Sequence, residues 1–374
     1  MGLLSSNPVR CHIEKGAFAG LSAVLAEYHP QRILVVLGGR SFRASAHYPR
    51  LLEMLAAYDF FFSAAVSANP QAAFIEEELK RLRQEKFDLV LAIGGGSVID
   101  TAKLFAALPG QASQDLSVYL QGNFELNGPV RPLIAVPTTA GTGSEVTPFA
   151  SLETADKKKL SIAHRALYPA AALVDPELCL SMPPYVTVCT GFDALSQAIE
   201  SFWSVHANAE SQRHSLKGLE RILAGFEKAV NDPQNSEARL AMSQGSCEAG
   251  FAIAHARTTA VHSVSYPITA HFNVAHGHAC ALTLAEFVRF NAPVLKEAGQ
   301  PLLKRFGAAD YESMAASIES LMRTASLERS LAALGIDEKG QGLIIRDGFR
   351  PDRVKNNPRP LTQEDLRSIL HKIH

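Results

Sequence analysis

Hydrophobic positions change their period near the middle of the chain. In the first half, short β-rich runs alternate with stretches of helical spacing. Ile33-Leu34-Val35-Val36-Leu37 reads as a strand, Tyr48 to Tyr58 as a helix, and Ile75, Leu79 and Leu82 as one apolar helical face. Phe87 to Ile93 then predicts a strand, Gly94-Gly95-Gly96-Ser97 a turn and Val98 to Lys103 a helix, with a further strand at Leu133 to Val136. Such βαβ alternation predicts a mostly parallel sheet with helices on both faces and ligands at the carboxyl ends of its strands. After Asp175-Pro176 the strand signals fade, and helical segments run from Gly191, Ala207, Ser236, Arg257 and Ala279. Met182-Pro183-Pro184 interrupts the chain at this change, which places an α/β domain over 1–180 and an all-α domain over 181–374. Thr362 and Asp365 form a capping box for a last helix through Ile369.

The glycine-bearing turns carry the first chemistry. A helix that starts behind glycines presents free backbone N–H groups and the positive end of its dipole, which suits a nucleotide pyrophosphate. Gly94 to Ser97 is such a turn, although a glycine triplet also serves purely steric needs. The loop from Pro137 to Glu145, rich in glycine and hydroxyls, follows a second strand. Two such loops behind two strands are harder to explain by sterics alone.

In the helical half, Asp193 and Gln197 stand at i and i+4, so both side chains leave one helix face and reach a single ion. His262 and His276 would complete four ligands. A carboxylate with imidazoles suits Fe²⁺ or Zn²⁺ better than Ca²⁺ or Mg²⁺, which prefer oxygen shells. Thirteen histidines in 374 residues also make some histidine-rich neighbourhoods expected by chance, and the nucleotide-type loops upstream are what favour the metal reading.

Bulk properties narrow the setting. A chain of 374 residues exceeds the size at which one core stays single. With a net charge of -1 it has no general attraction for nucleic acid or an anionic membrane, so neither is expected as a partner. Five scattered cysteines without a Cys-x-x-Cys spacing argue for reduced thiols in a cytoplasm. No apolar span of about 18 residues and no signal peptide is seen. Met1-Gly2-Leu3-Leu4-Ser5-Ser6 matches the myristoylation pattern, but nothing polybasic follows to supply a second membrane signal.

Gly-Gly-Gly-Ser-x-x-Asp-x-x-Lys at Gly94 to Lys103, Pro-Thr-Thr-x-Gly-Thr-Gly-Ser-Glu at Pro137 to Glu145, Asp175-Pro176 and the helix with Asp193 together resemble the iron-containing alcohol dehydrogenase family. The resemblance implies a dinucleotide-binding α/β domain with a parallel sheet, followed by an all-α metal-binding domain. It implies interconversion of an aldehyde or ketone with its alcohol using NAD or NADP, with the site in the cleft between the domains and a homo-oligomeric assembly. It makes Asp193, His262 and His276 metal ligands, and Asn69, Gly95, Gly96, Ser97, Asp100, Thr138, Thr139, Thr142 and Lys159 cofactor contacts.

Three departures from the family pattern stand out. Gln197 and Tyr266 occupy positions where the family has histidines, so a neutral amide oxygen is offered to the metal and a phenol replaces an imidazole. Tyr266 and His271 are then the candidates for proton relay. After the first nucleotide-type strand the chain reads Leu37-Gly38-Gly39-Arg40-Ser41-Phe42-Arg43, with no carboxylate for the ribose. Ser41 with Arg40 or Arg43, beside Gly38 and Gly39, would instead admit a 2′-phosphate, which favours NADP(H) over NAD(H). The segments around Gln197, His262 and His276 are similar to those of phosphonoacetaldehyde reductases, which implies a phosphonate substrate near Arg257, Thr258 and His278. A metal-independent reductase of the maleylacetate type, a general alcohol dehydrogenase and a non-catalytic nucleotide-binding protein are the alternatives.

Overall fold

Strands β1 (Arg10–Ile13), β2 (Arg32–Leu37), β3 (Asp59–Phe62), β4 (Leu89–Gly94), β5 (Leu133–Pro137), β6 (Phe149–Glu153), β7 (Lys159–Ala163) and β8 (Ala171–Val174) build the N-terminal unit. Helices α1 (Leu21–Tyr28), α2 (His47–Leu55), α3 (Ala72–Leu82), α4 (Gly96–Ala107) and α5 (Leu116–Leu120) run between them. The computed structural model describes residues 7–113, 115–120 and 125–374, without the side chains of 351 and 352. The hexapeptide matching the myristoylation pattern lies outside the described residues. One unit comprises Met1–Thr139 and Gly143–Leu180, and the other Ala140–Thr142 and Ser181–His374, so the tip of the hydroxyl loop groups with the helical unit.

Six strands form a parallel sheet in the order β1-β8-β5-β4-β2-β3, while β6 and β7 pair antiparallel as a separate ribbon. Along β2, Ile33, Val35 and Leu37 join the core of α1 and α2, and Leu34 and Val36 join the opposite core with Ile75, Leu79 and Leu82 of α3. Alternate side chains are thus buried on both faces, which explains why β2 is apolar throughout. The chain steps from β2 out to β3, returns to the other side of β2 with β4, and continues to β5. Strand order therefore reverses between β2 and β4, where the glycine turns after Leu37 and Ile93 lie side by side in register. An open α/β sheet leaves its ligand crevice at such a point.

Strands β1, β3 and β8 and the β6–β7 ribbon went unread in the sequence. The first three span four residues each, too few for a period to show.

The helical unit contains α6 (Pro184–Trp203), α7 (Ala209–Asn231), α8 (Ser236–Ala256), α9 (Ala260–Phe272), α10 (His276–Leu295), α11 (Gln300–Phe306), α12 (Tyr311–Thr324), α13 (Glu338–Gly348), α14 (Pro351–Val354) and α15 (Gln363–Lys372). The α6 helix starts at Pro184 and not at Gly191. Proline fits the first helical position, where its missing N–H costs nothing. The Met182-Pro183-Pro184 interruption is therefore a helix start. Nearly every residue of α6 from Thr187 to Trp203 is buried, which makes it the central helix against which α7, α8 and α10 pack. The Thr362–Asp365 capping box is present and opens α15. Among the described residues, no helix is long and apolar enough to cross a membrane.

Candidate metal and cofactor sites

Three helices of the second unit bring a cluster of donors together. On α6, Asp193, Gln197 and Glu200 follow one another at i, i+4 and i+7 and share a face. The α9 helix contributes His262, and the first turn of α10 contributes His276 and Cys280. Gly277 allows the approach of α10 to α6, since a Cβ there would fall 1.7 Å from the carbonyl oxygen of Cys189 and 3.1 Å from the nitrogen of Asp193. His262 Nε2 lies 3.3 Å and His276 Nε2 3.9 Å from Asp193 Oδ1. Donor atoms of Asp193, His262, His276 and Cys280 all lie within 4.8 Å of one another.

The surroundings orient these donors. Glu200, fully buried, accepts from His262 Nδ1, from Thr259 N at 2.9 Å and from Thr259 Oγ1 at 2.7 Å, so His262 turns Nε2 towards Asp193. Ser265 Oγ donates to the carbonyl of His262 and receives the Nδ1 side of His276 at 3.3 Å, leaving His276 Nε2 to the cluster. Gln197 departs from its expected part. Asp193 Oδ1 can only accept, so the amide group facing it at 2.9 Å is the N–H, and Gln197 Oε1 is buried without a hydrogen-bond partner. Burial opposes a charge on His262, but Cys280, Glu200 and Asp193 outweigh it and raise its pKa well above 6.5. Burial pushes the Cys280 thiol up to about 12, so the negative charge beside His262 is that of Asp193 and Glu200; it suits a divalent cation, and the carboxylate, imidazole and sulfur set suits a first-row ion.

Beside the cluster, the Tyr266 ring stacks on His276 with centroids 5.4 Å apart and planes 7° from parallel. The Arg353 guanidinium lies 4.4 Å from the centre of the Tyr266 ring and donates to its hydroxyl. Arg257 caps α8 at φ 61° and ψ 174°, a conformation that a side chain adopts only under strain. Its pKa is pushed down, first by the protein packed around it and then by the charge of Arg353, although the residue as a whole stays exposed. Thr258 follows, half-buried, its carbonyl accepting from Asn356 at 3.1 Å.

Two expected site residues do not join this group. His278 is buried, with Nδ1 on Tyr185 Oη at 3.1 Å and Nε2 on the carbonyl of Glu328 at 2.7 Å, so both nitrogens are committed to packing α10. His271 is nine residues beyond His262 on α9, about half a turn round the helix axis. It pairs with Asp347 at 2.8 Å, whose carboxyl is held down to about 2 by Arg346 first and then by His271, against its burial.

In the N-terminal unit the nucleotide-type loops meet. Gly94 closes β4 where a Cβ would meet Val98 Cγ2 at 2.5 Å, and its carbonyl accepts from Thr138 N at 3.0 Å. Gly95 caps α4 with no side chain over its N–H groups, and Thr139 Oγ1 lies against it, 3.2 Å from where a Cβ would sit. Gly38 abuts Val98 at the foot of α4, with Gly39, Arg40 and Ser41 exposed beyond it. Asn69, at φ 49°, donates its backbone N–H to Ser97 Oγ at 3.2 Å. Asp100 is otherwise engaged: it accepts from Ser144 Oγ and from Ser151 N at 2.9 Å, pinning the hydroxyl loop to α4. Arg43 is taken up by the Phe62 face at 4.7 Å and by Tyr48 Oη at 3.1 Å, which leaves Arg40 as the open cation of that turn. Thr142 groups with the helical unit, and Lys159 opens β7 opposite Glu153.

Residues 8–176 match the model of iron-containing alcohol dehydrogenase, and residues 187–374 that of the C-terminal part of the Fe-containing alcohol dehydrogenase family. The chain belongs to the iron-containing alcohol dehydrogenase family. It is thus an oxidoreductase of the alcohol dehydrogenase or aldehyde reductase type, in a family whose cofactors are a nicotinamide dinucleotide and a divalent metal. It is 33% identical over 307 residues to long-chain-alcohol dehydrogenase 1 of Geobacillus thermodenitrificans, covering 79% of this chain and 77% of that one. It is 32% identical over 306 residues to phosphonoacetaldehyde reductase of Streptomyces viridochromogenes, covering 78% and 77%. The solved structure of sulfoacetaldehyde reductase from Bifidobacterium kashiwanohense in complex with NAD+ matches with a TM-score of 0.91 and 30% identity, covering 100% of this chain and 99% of that one.

Within this family frame, the residues missed in the sequence are Glu200, Cys280 and Arg353. Glu200 continues the Asp193–Gln197 stripe by three residues and Cys280 stands one helical turn after His276, so both spacings were visible. Arg353 lies 87 residues from Tyr266, and no local pattern announces that pairing.

Proposed function

We propose that this chain reduces phosphonoacetaldehyde to 2-hydroxyethylphosphonate, with NADP(H) as the hydride source and Fe²⁺ or Zn²⁺ held by Asp193, His262 and His276. The observation that carries the substrate reading is the stack of Arg353 on Tyr266 on His276, with the charge of Arg257 beside it. A carbonyl oxygen at the cluster leaves the far end of a two-carbon aldehyde close to these guanidiniums, which bind tetrahedral oxyanions in a forked geometry. Two neighbouring like charges are costly with a plain alkyl aldehyde and are compensated by an anion.

When bound, the ion supplies Lewis-acid polarisation of a carbonyl and the nicotinamide supplies the hydride. Glu200 keeps Nε2 of His262 aimed at the cluster, and Gln197 steadies Asp193. Tyr266 Oη accepts from Arg353, so its own proton is directed elsewhere, and it is the proposed proton donor to the product alkoxide. The N–H groups at the start of α4 would hold the pyrophosphate, with Thr138, Thr139 and Ser97 around it. Arg40 and Ser41, exposed behind β2 with no carboxylate near them in the turn, support a 2′-phosphate.

The test is NADPH oxidation with phosphonoacetaldehyde, sulfoacetaldehyde and acetaldehyde. Two charge-assisted hydrogen bonds, about 1.5–3 kcal/mol each, predict a kcat/KM for phosphonoacetaldehyde at least roughly a hundredfold above that for acetaldehyde. A larger kcat/KM for sulfoacetaldehyde would move the assignment to a sulfonate, and parity with acetaldehyde would discard the anionic substrate altogether.

A further inference from the structure

Gln197 and Cys280 both border the Asp193 cluster, and they are chemically unlike. We propose that Cys280 Sγ, and not Gln197 Oε1, is the fourth protein ligand of the ion held by Asp193, His262 and His276. This rests on the reading that the cluster binds a divalent metal, and it defines an Asp-His-His-Cys donor set.

Cys280 follows His276 at i+4 on α10, so the two side chains share a face, and its sulfur closes the group whose donors all lie within 4.8 Å. An ion about 2.0–2.1 Å from nitrogen and oxygen and about 2.3 Å from sulfur, with tetrahedral angles, separates its ligands by about 3.3–3.6 Å. The 3.3 Å and 3.9 Å separations of His262 and His276 from Asp193 are within about half an ångström of that frame. Gln197 instead spends its N–H on Asp193 Oδ1 at 2.9 Å, and turning its oxygen onto the ion would break that bond. Its buried, unpartnered Oε1 nevertheless makes it the rival donor, and this defines the test. As the metal–sulfur bond forms, the thiol proton leaves to solvent. A thiolate in the set suits zinc.

The full-length protein, stripped with a chelator, is titrated with Co²⁺ alone. Sulfur-to-cobalt charge-transfer absorption is expected in the near ultraviolet, and it is expected to vanish in Cys280→Ser and Cys280→Ala. Both variants are compared with the parent by circular dichroism and thermal unfolding in the metal-free state, so that loss of fold is separated from loss of a ligand. Cobalt affinity is expected to fall at least about a hundredfold in Cys280→Ser. Gln197→Ala is expected to keep the band and weaken binding only about tenfold, as removal of an outer partner does. Stoichiometric cobalt without the band, or a band that survives in folded Cys280→Ala, overturns the assignment of sulfur. Binding lost in Gln197→Ala and kept in Cys280→Ser gives the fourth position to the amide. A parent protein that takes up no cobalt overturns this inference together with the metal reading. No aldehyde enters the measurement, so its outcome is independent of the phosphonate assignment.

Discussion

Glu200 accepts the Nδ1 proton of His262, and the same ring presents Nε2 to Asp193 at 3.3 Å. One buried carboxylate thereby sets both the tautomer and the direction of an imidazole proposed to bind metal. Glu200→Gln keeps the shape but sets an amide against four donors, Thr259 N, Thr259 Oγ1, His262 N and His262 Nδ1. If the amide oxygen stays with Thr259, its NH₂ faces Nδ1 and forces the proton onto Nε2, where it blocks ligation. Metal affinity is expected to drop about 10–100-fold, read by competition with a coloured chelator. An unchanged affinity would show that the tautomer is set without Glu200.

The Arg353 guanidinium rests over the Tyr266 ring, 4.4 Å from its centre, and is the proposed anion-binding group. Arg353→Met retains the apolar cover and removes the charge. The expected result is a KM for phosphonoacetaldehyde raised about 10–100-fold, from a charge-assisted hydrogen bond of about 1.5–3 kcal/mol, with a much smaller change for acetaldehyde. Arg353→Lys restores the charge without the fork and is expected to recover only part of the loss. Equal losses on both aldehydes would assign Arg353 to holding Tyr266 and His276 in place.

The turn behind β2 separates two arginines that look alike in sequence. Arg43 is packed on Phe62 and Tyr48, whereas Arg40 is exposed. Arg40→Asp is expected to weaken NADPH about tenfold or more and to strengthen NADH, as followed by cofactor fluorescence titration. Arg43→Ala is expected to lower the melting temperature with little change in the NADPH to NADH ratio. A parallel loss of both cofactors in Arg40→Asp would argue that no 2′-phosphate is held there.

The residues that were legible from sequence are those whose chemistry is local. The apolar run of β2, the Gly94 to Ser97 turn, the Thr362 box and the Asp193–Gln197 stripe all follow from spacings within one element. Tertiary partners decide the rest. His278 looked like a site residue beside His276, yet two residues along a helix turn a side chain by about 200°, and it points into the packing with Tyr185 and Glu328. His271 is drawn to Asp347 on α13, and Arg43 to aromatic faces, through contacts that no neighbouring residue announces. Asp175 served only as a family marker in sequence. In the fold its carboxylate accepts from Gly16 N, Phe18 N and Glu177 N, tying the segment after β1 to the end of β8.

Lys103 offers a test of the loop beneath the proposed cofactor site. It is fully buried on α4, and its ammonium donates to Phe149 O at 2.6 Å, Ser144 Oγ at 3.0 Å and Thr147 Oγ1 at 3.3 Å. Burial pushes its pKa down from 10.5 to about 8, against the pull of Asp100 and Glu145. Between these two values the unfolded chain holds a proton that the folded chain has released, so stability rises with pH across that window. Below it both states are charged, and the full cost of burying the ammonium remains. The gain from this one group is on the order of 3 kcal/mol between about pH 8 and 10.5. Urea unfolding of the parent and of Lys103→Met at pH 7.5 and pH 10 isolates it. The stability difference is expected to move in favour of the parent at the higher pH. A difference that stays level would show that the ammonium is as well solvated by its three oxygen partners as by water, and that the hydroxyl loop is held without electrostatic cost.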